Sequence, residues 1–139
     1  KKCTKDYNLS PLMIGGSNDT VCDSIKNILG EKLIDIHGKT SLRESIAIIS
    51  QSEFVIGSDT GLVHAAEALN IASISILGPT AVETGAGVFN NNSFIVEDKN
   101  LWCRPCSQNG SIPCYREEQY CLTNISVENV MNAINGLIQ

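Results

Sequence analysis

The residues best suited to chemistry lie at 55–66, which read VIGSDTGLVHAA. The apolar start of this stretch predicts a short buried strand, and Asp59 or Thr60 is a suitable N-cap for a helix that follows directly. The first N–H groups of such a helix are unpaired and lie at the positive end of its dipole. Because Gly61 has no side chain, an anion can approach these amides, and His64 follows one turn later. The stretch therefore predicts a phosphate site, with an ordinary strand–helix turn as the alternative.

Composition limits the possible classes of protein. The chain has 139 residues, of which 42% are hydrophobic and only 5% aromatic, so it can form one domain, 1–139, with an aliphatic core. The net charge of −5, without a basic block, argues against a nucleic-acid surface. The apolar runs are too short to span a bilayer, and the first residues do not resemble an export signal.

Strand and helix patterns alternate along the chain. Apolar runs predict strands at 11–14, 33–36, 54–56, 72–77 and 94–96. Helices are expected to begin at Asn18 or Asp19, at a capping box formed by Ser41 and Glu44, at Thr60, and at Ser126. This order predicts an α/β fold with a Rossmann-like parallel sheet and helices on both faces. The apolar helix stripes expected in the core are Val21, Cys22, Ile25, Ile28 and Leu29; Leu42, Ile46 and Ile49; Leu62, Ala65, Ala66 and Leu69; and Val127, Val130, Met131, Ile134 and Leu137.

Polar residues follow four of the predicted strands, and ligands of open α/β sheets bind beyond the carboxyl ends of strands. The sequence GSDTGLVHAA at 57–66, followed by ILGPT at 76–80, resembles the signature of glycosyltransferase family 9, the ADP-heptose:lipopolysaccharide heptosyltransferases. GKTSL at 38–42 and GGSND at 15–19 match further elements of that family in the same order. The cysteine-containing segment before the last helix also resembles the family.

The resemblance implies the C-terminal, nucleotide-sugar-binding domain of a two-domain GT-B glycosyltransferase of bacterial lipopolysaccharide biosynthesis. Its donor would be a nucleotide-diphosphate sugar, which the family resemblance gives as ADP-heptose, and its acceptor a lipid-linked glycan. It implies no cofactor and no metal, and a cytoplasmic location, at or near the inner membrane. The implied substrate-binding residues are the amides of Thr60, Gly61 and Leu62 for the diphosphate, His64 beside it, Asp59 for the sugar, Thr40, Ser41 and Leu42 for the base, and Asp19 for the ribose.

The sequence departs from the family pattern at its beginning. The acceptor-binding domain, which carries the expected catalytic base, and the first strand of the nucleotide domain are not present. Residues 1–7 resemble the end of a helix. In a sheet ordered 3-2-1-4-5-6, the absent strand would be central. We therefore expect a fragment of a larger enzyme that does not transfer sugar by itself.

The cysteines leave two interpretations open. Cys103, Cys106, Cys114 and Cys121 could surround a zinc ion, or they could be free thiols or form a disulfide on handling. A non-catalytic nucleotide- or partner-binding module, cross-linked by its cysteine-rich segment, would be a different class of function. A nucleotide-sugar epimerase-like domain is a further alternative. His37, at the end of a predicted strand, is expected to be structural or exposed.

Overall fold

The computed structural model describes residue 5 and residues 7–138. The interpretation of residues 1–7 as the end of a helix therefore falls largely outside the described residues, as does Cys3. Five strands alternate with helices: β1 (Leu12–Met13), α1 (Val21–Leu29), β2 (Ile34–Asp35), α2 (Leu42–Ile49), β3 (Phe54–Ser58), α3 (Gly61–Ala68), β4 (Ala72–Leu77), β5 (Ser93–Glu97), α4 (Tyr120–Thr123) and α5 (Val127–Ile138). Short 3₁₀ turns occupy Gly30–Lys32 and Val82–Thr84.

The strands form two parallel sheets, with β1 paired to β2 and with the order β3-β4-β5. The predicted α/β class with parallel strands and helices is confirmed. The chain divides into two compact units, residues 1–47 and 48–139, with the boundary inside α2.

The first unit has a small core. Leu12 pairs with Ile34 in register, and Met13 and Cys22 are buried. In the predicted α1 stripe, Cys22 is buried and Leu29 is half-buried, but the expected burial of Val21, Ile25 and Ile28 is wrong, because all three are exposed. Leu42 at the start of α2 is also exposed. Two strands of two residues each offer too little apolar surface to cover a whole helix face.

Helix α1 also begins later than the sequence predicts. Thr20 occupies its N-cap position without a side-chain capping bond. Asp19 instead accepts the N–H of Gly16 at 2.6 Å through Oδ2. The carboxylate therefore closes the loop that precedes the helix. By contrast, the capping box of α2 is confirmed, because Ser41 N donates to Glu44 Oε2 at 2.7 Å and Glu44 N donates to Ser41 Oγ at 3.3 Å.

The second unit contains the larger core. In its sheet, Phe54 pairs with Ala72 and Ser73 pairs with Ser93. Helix α3 packs on β3 and β4, and α5 packs on β4 and β5. The central strand β4 is buried on both faces, as expected for a parallel sheet. Its buried residues and those of the helices that cover it include Val63, Ala66, Ile74, Leu77, Met131 and Ile134. The predicted stripes of α3 and α5 thus contribute to the core, except for Leu69 and Val127, which are exposed.

Gly57 permits the close packing of α3 on β3. The sequence suggests a turn at Gly57 and Ser58, whereas both residues belong to β3 and pair with Ser75 and Ile76. A Cβ atom at Gly57 would lie 2.6 Å from Cγ2 of Val63, whose side chain is buried. Strand and helix can therefore approach this closely only without a side chain at position 57.

Replacing Gly57 by alanine should destabilise the chain by about 1–3 kcal/mol, the usual cost of overpacking a core. The matched control is Gly61→Ala, because a Cβ at Gly61 would meet no atom within 4 Å and alanine is the better helix former. Urea unfolding of both variants measures the difference. Equal midpoints for the two variants would contradict the proposed packing role of Gly57.

Candidate functional site

The N-terminus of α3 lies directly after β3. Thr60 is the N-cap residue with an extended backbone, and its carbonyl accepts the N–H groups of Val63 and His64. The amides of Thr60, Gly61 and Leu62 donate no hydrogen bond to any residue that the structure describes. Open space surrounds the Cα of Gly61. These three amides are therefore free to bind an anionic ligand, and the phosphate site itself stays a prediction.

Asp59 and His64 form a pair beside this terminus. His64 Nε2 lies 3.1 Å from Asp59 Oδ1, and their side chains are 43% and 20% exposed. The N–H of Gly87 also lies 3.5 Å from the same carboxylate oxygen. The aspartate thus holds the imidazole of a residue in the first turn of α3, and both side chains remain accessible to a ligand. The structure brings five predicted site residues together here: Asp59, Thr60, Gly61, Leu62 and His64.

Glu67 connects the far end of α3 to the loop that contains Gly87. Its Oε1 accepts the N–H groups of Phe89 and of Asn90, the latter at 2.8 Å. The side-chain amide of Asn90 donates to the Glu67 carbonyl at 2.7 Å. The loop between the 3₁₀ turn and β5, residues 85–92, which is rich in glycine and asparagine, is therefore attached along α3.

Arg104 organises the loop after β4, and sequence patterns alone gave no indication of this role. Its guanidinium donates to the carbonyls of Gly78 at 2.6 Å and Thr80 at 2.8 Å, and to the Asp98 carbonyl at 2.7 Å. It also pairs with Glu97 at 2.8 Å, and both side chains are more than nine-tenths buried. The Gly-Pro-Thr segment of the signature is therefore held by a buried ion pair.

The other predicted site residues lie in the first unit. Thr40 Oγ1 lies 2.9 Å from Ser45 Oγ, and Ser41 belongs to the capping box of α2. The Ser41 backbone N–H, and then its hydroxyl, hydrogen-bond to Glu44 and lower the pKa of that carboxyl. Leu42 is exposed, as is Ser41, and it is the apolar member of this group. Thr40 and Ser41 thus shape the start of α2, and Leu42 offers apolar surface to a ligand.

The first unit contains a His–Asp pair of its own, and Asp19 lies near it. His37 Nδ1 and Asp35 Oδ1 are 2.5 Å apart, and Lys26 Nζ lies 3.1 Å from Asp35 Oδ2. The hydrogen bond from His37, followed by that from Lys26, holds the pKa of Asp35 well below its usual range. Asp19 and His37 line one cavity of about 270 Å³.

The cysteine-rich segment contains free thiols. Cys103, Cys106, Cys114 and Cys121 form no disulfide, and residues 5 and 7–138 contain no group of three or more His, Cys, Asp or Glu residues arranged to hold a metal. Burial raises the pKa of the Cys121 thiol, with a further contribution from Cys106. The backbone amide of Cys106 donates to the Pro79 carbonyl at 3.1 Å. The segment is therefore connected to the loop after β4 through its backbone.

A cavity of about 690 Å³ along β5 and α5 includes Glu97, Asp98 and Asn129 in its lining but none of the predicted site residues. Among the described residues, no helix has the length and apolar character needed to cross a membrane.

Comparison with models of known protein families shows which family the chain belongs to. The family model of glycosyltransferase family 9 (heptosyltransferase) matches residues 4–115. The chain belongs to this family. The match includes every predicted site residue and the Gly-Pro-Thr segment.

Curated relatives of this family 9 chain are heptosyltransferases. Lipooligosaccharide heptosyltransferase 2 of Campylobacter jejuni is 26% identical over 126 residues, which cover 88% of this chain and 39% of the relative. The enzyme of the same name from Haemophilus influenzae is 34% identical over 82 residues, or 56% of this chain and 23% of the relative. The chain thus spans about two fifths or less of the length of these relatives.

Solved structures support the fold of the family 9 chain. A glycosyltransferase family 9 structure from Veillonella parvula superposes with a TM-score of 0.70 and 18% identity, covering 96% of this chain and 37% of that one. The E. coli ADP-heptose lps heptosyltransferase II structure gives a TM-score of 0.67, also with 18% identity, over 91% of this chain and 35% of that one. Both structures extend well beyond the part that matches.

Proposed function

We propose that this chain is the donor-binding part of a bacterial heptosyltransferase that moves heptose from ADP-heptose to a lipopolysaccharide core acceptor. The observation that carries the proposal is the set of three unpaired amides at the start of α3, next to the Asp59–His64 pair. Such a terminus binds the diphosphate of a nucleotide sugar. The names of the curated relatives supply the class of sugar and acceptor.

The amides of Thr60, Gly61 and Leu62 have a direct chemical role in this reaction. An acceptor hydroxyl attacks the anomeric carbon, the bond to the diphosphate oxygen breaks, and the nucleoside diphosphate leaves with that bond's electron pair. Negative charge therefore grows on the leaving group in the transition state. Fixed N–H groups directed at this charge stabilise it without reorganisation.

The remaining predicted residues position the donor. Asp59, beside the diphosphate site, orients the sugar through its hydroxyl groups, while His64 supports the phosphate. Leu42 contacts the base with its exposed side chain, next to Thr40 and Ser41 in the chain. Asp19 accepts a hydrogen bond from the ribose. The four positions 19, 40, 41 and 42 therefore serve the nucleoside, and positions 59–64 serve the diphosphate sugar.

The general base and the acceptor site belong to the part of the relatives that this chain does not span. Donor and acceptor would meet on the cytoplasmic side of the inner membrane. The chain by itself is expected to bind donor without transferring sugar. Measurable transfer of heptose by this chain alone would contradict the assignment of the general base and the acceptor site to a part of the enzyme outside this chain.

The proposal is tested by calorimetric titration with ADP-heptose, ADP and UDP. We expect ADP to bind more tightly than UDP. Replacing Asp59 by alanine should weaken ADP-heptose binding about tenfold, because a hydrogen bond to a charged group is lost, and should weaken ADP binding to a smaller extent, through the lost contact that positions His64.

Asp59→Asn is the matched control because it keeps the size and one acceptor oxygen of the side chain. An intermediate loss with this variant would agree with a contact to sugar hydroxyls. Equal losses for ADP and ADP-heptose in Asp59→Ala would instead assign Asp59 to the phosphate region. Absence of binding to all three ligands by the folded chain would contradict the proposed function.

A further inference from the structure

The cavity beside Asp19 contains a side chain that the proposed function does not use. Its lining consists of Ser17, Asn18, Asp19, Thr20, Asp23 and His37. The loops that form it are joined, since Gly38 N donates to the Gly15 carbonyl at 2.8 Å. Its volume of about 270 Å³ suits part of a nucleotide rather than a whole one, because sites for drug-sized ligands run from ~300 to 1,000 Å³.

The imidazole of His37 is fixed from one side. Asp35 Oδ1 contacts Nδ1 at 2.5 Å, and the His37 backbone N–H lies 3.2 Å from the same oxygen. Lys26 binds the other oxygen of Asp35, and Lys39 Nζ donates to the Asp35 carbonyl at 2.9 Å. A carboxylate can only accept, so Nδ1 donates the hydrogen bond. In the neutral ring, Nε2 is then an acceptor, and it makes no hydrogen bond to the described residues.

The charged groups that line the cavity are acceptors, whereas Ser17, Asn18 and Thr20 can both donate and accept. The carboxylates of Asp19 and Asp23 carry negative charge, and the fixed imidazole adds a further acceptor at Nε2. Phosphate groups are repelled by such a lining, whereas sugar hydroxyls can donate to it. The donor has two sugars with uncharged hydroxyls, and because its heptose is assigned to Asp59, the ribose is the one left for this cavity.

We infer that His37 binds the ribose of the donor, accepting a hydrogen bond from a ribose hydroxyl at Nε2, with Asp35 as the positioning residue that fixes the ring. The inference rests on the proposed function and adds a residue to its nucleoside site. It replaces the expectation that His37 is structural or merely exposed. Asp19 and His37 then contact the same sugar from opposite loops, those after β1 and β2.

The test compares ADP with 2′,3′-dideoxy-ADP, which lacks both ribose hydroxyls. His37→Asn retains a side-chain N–H near the position of Nδ1, so it can still donate to Asp35, but it has no atom at Nε2. This variant should bind ADP about fivefold more weakly, the effect of one hydrogen bond. It should bind dideoxy-ADP as the unchanged chain does. His37→Gln, whose amide reaches the Nε2 position, should recover part of the affinity for ADP.

Imidazole nitrogen NMR gives an independent readout, because the chain has only two histidines. Addition of ADP should shift Nε2 of His37, while inorganic pyrophosphate should shift only His64. Equal effects of His37→Asn on both nucleotides, or no effect on either, would overturn the inference. If ADP binding depends on Gly61 but not on His37, only this inference fails. If the folded chain binds no ADP, the proposed function fails and the inference fails with it.

Discussion

Replacing Arg104 by alanine should destabilise the chain by about 3–5 kcal/mol, the range seen when one partner of a buried ion pair is removed. The guanidinium lies only 5% exposed against Glu97, which is 7% exposed. Its loss leaves a buried carboxylate without its closest cation. Three carbonyls, those of Gly78, Thr80 and Asp98, lose their donor at the same time. Urea unfolding followed by circular dichroism measures the effect.

Lys99→Ala is the matched control because Lys99 contacts the same glutamate. Its Nζ lies 3.6 Å from Glu97 Oε1, but its side chain is 81% exposed. Exposed ion pairs contribute at most about 1 kcal/mol, so this variant should unfold near the midpoint of the unchanged chain. A comparable loss of stability in the two variants would contradict the structural role assigned to Arg104.

Replacing Gly61 by valine should abolish binding of ADP and of ADP-heptose, with a loss of about 100-fold or more. The branched side chain would fill the space through which a phosphate reaches the amides of Gly61 and Leu62, and those hydrogen bonds to a charged group contribute about 1.5–3 kcal/mol each. Beyond its chain neighbours and the backbone of its own helix, a Cβ at this position would meet no atom within 4 Å. The fold should therefore tolerate the substitution. Calorimetric titration measures the affinity, and circular dichroism checks the fold.

Gly61→Ala provides the graded control, with a smaller side chain at the same position. It should retain measurable but weaker binding, and its stability should equal or exceed that of the unchanged chain. Binding of ADP by Gly61→Val within twofold of the unchanged affinity would place the diphosphate elsewhere. The phosphate role of the α3 terminus would then be wrong, whatever the family membership of the chain.

Local sequence signals predicted the elements of the fold well. The capping box of Ser41 and Glu44 depends on residues three positions apart, and both of its backbone hydrogen bonds are present. The strand at 72–77 was predicted with its observed bounds because serine and isoleucine alternate at 73–76 and the Gly-Pro pair at 78–79 ends the pattern. The position of Gly61 in the first turn of a helix also follows from local pattern alone.

Contacts between distant segments could not be predicted in the same way. Arg104 reaches carbonyls 24 and 26 residues earlier in the chain, and no local period encodes such a distance. Asp35 and His37 are only two residues apart, but their contact depends on how the chain bends after β2. The exposure of Val21 and Ile28 depends on what surrounds α1 in space. Burial of a helix stripe follows from the surface available to cover it, which local sequence does not specify.

The carboxylates of Asp59 and Glu67 attach the loop before β5 to both ends of α3, so the motions of the loop and the helix are coupled. One accepts an amide of the loop at the start of the helix, and the other accepts two amides near its end. Because the loop is held at both ends of α3, opening of either end of the helix should release the loop contacts at that end. Solvent exchange at the amides of Phe89 and Asn90 consequently reports on the order of the helix whose first turn faces the ligand.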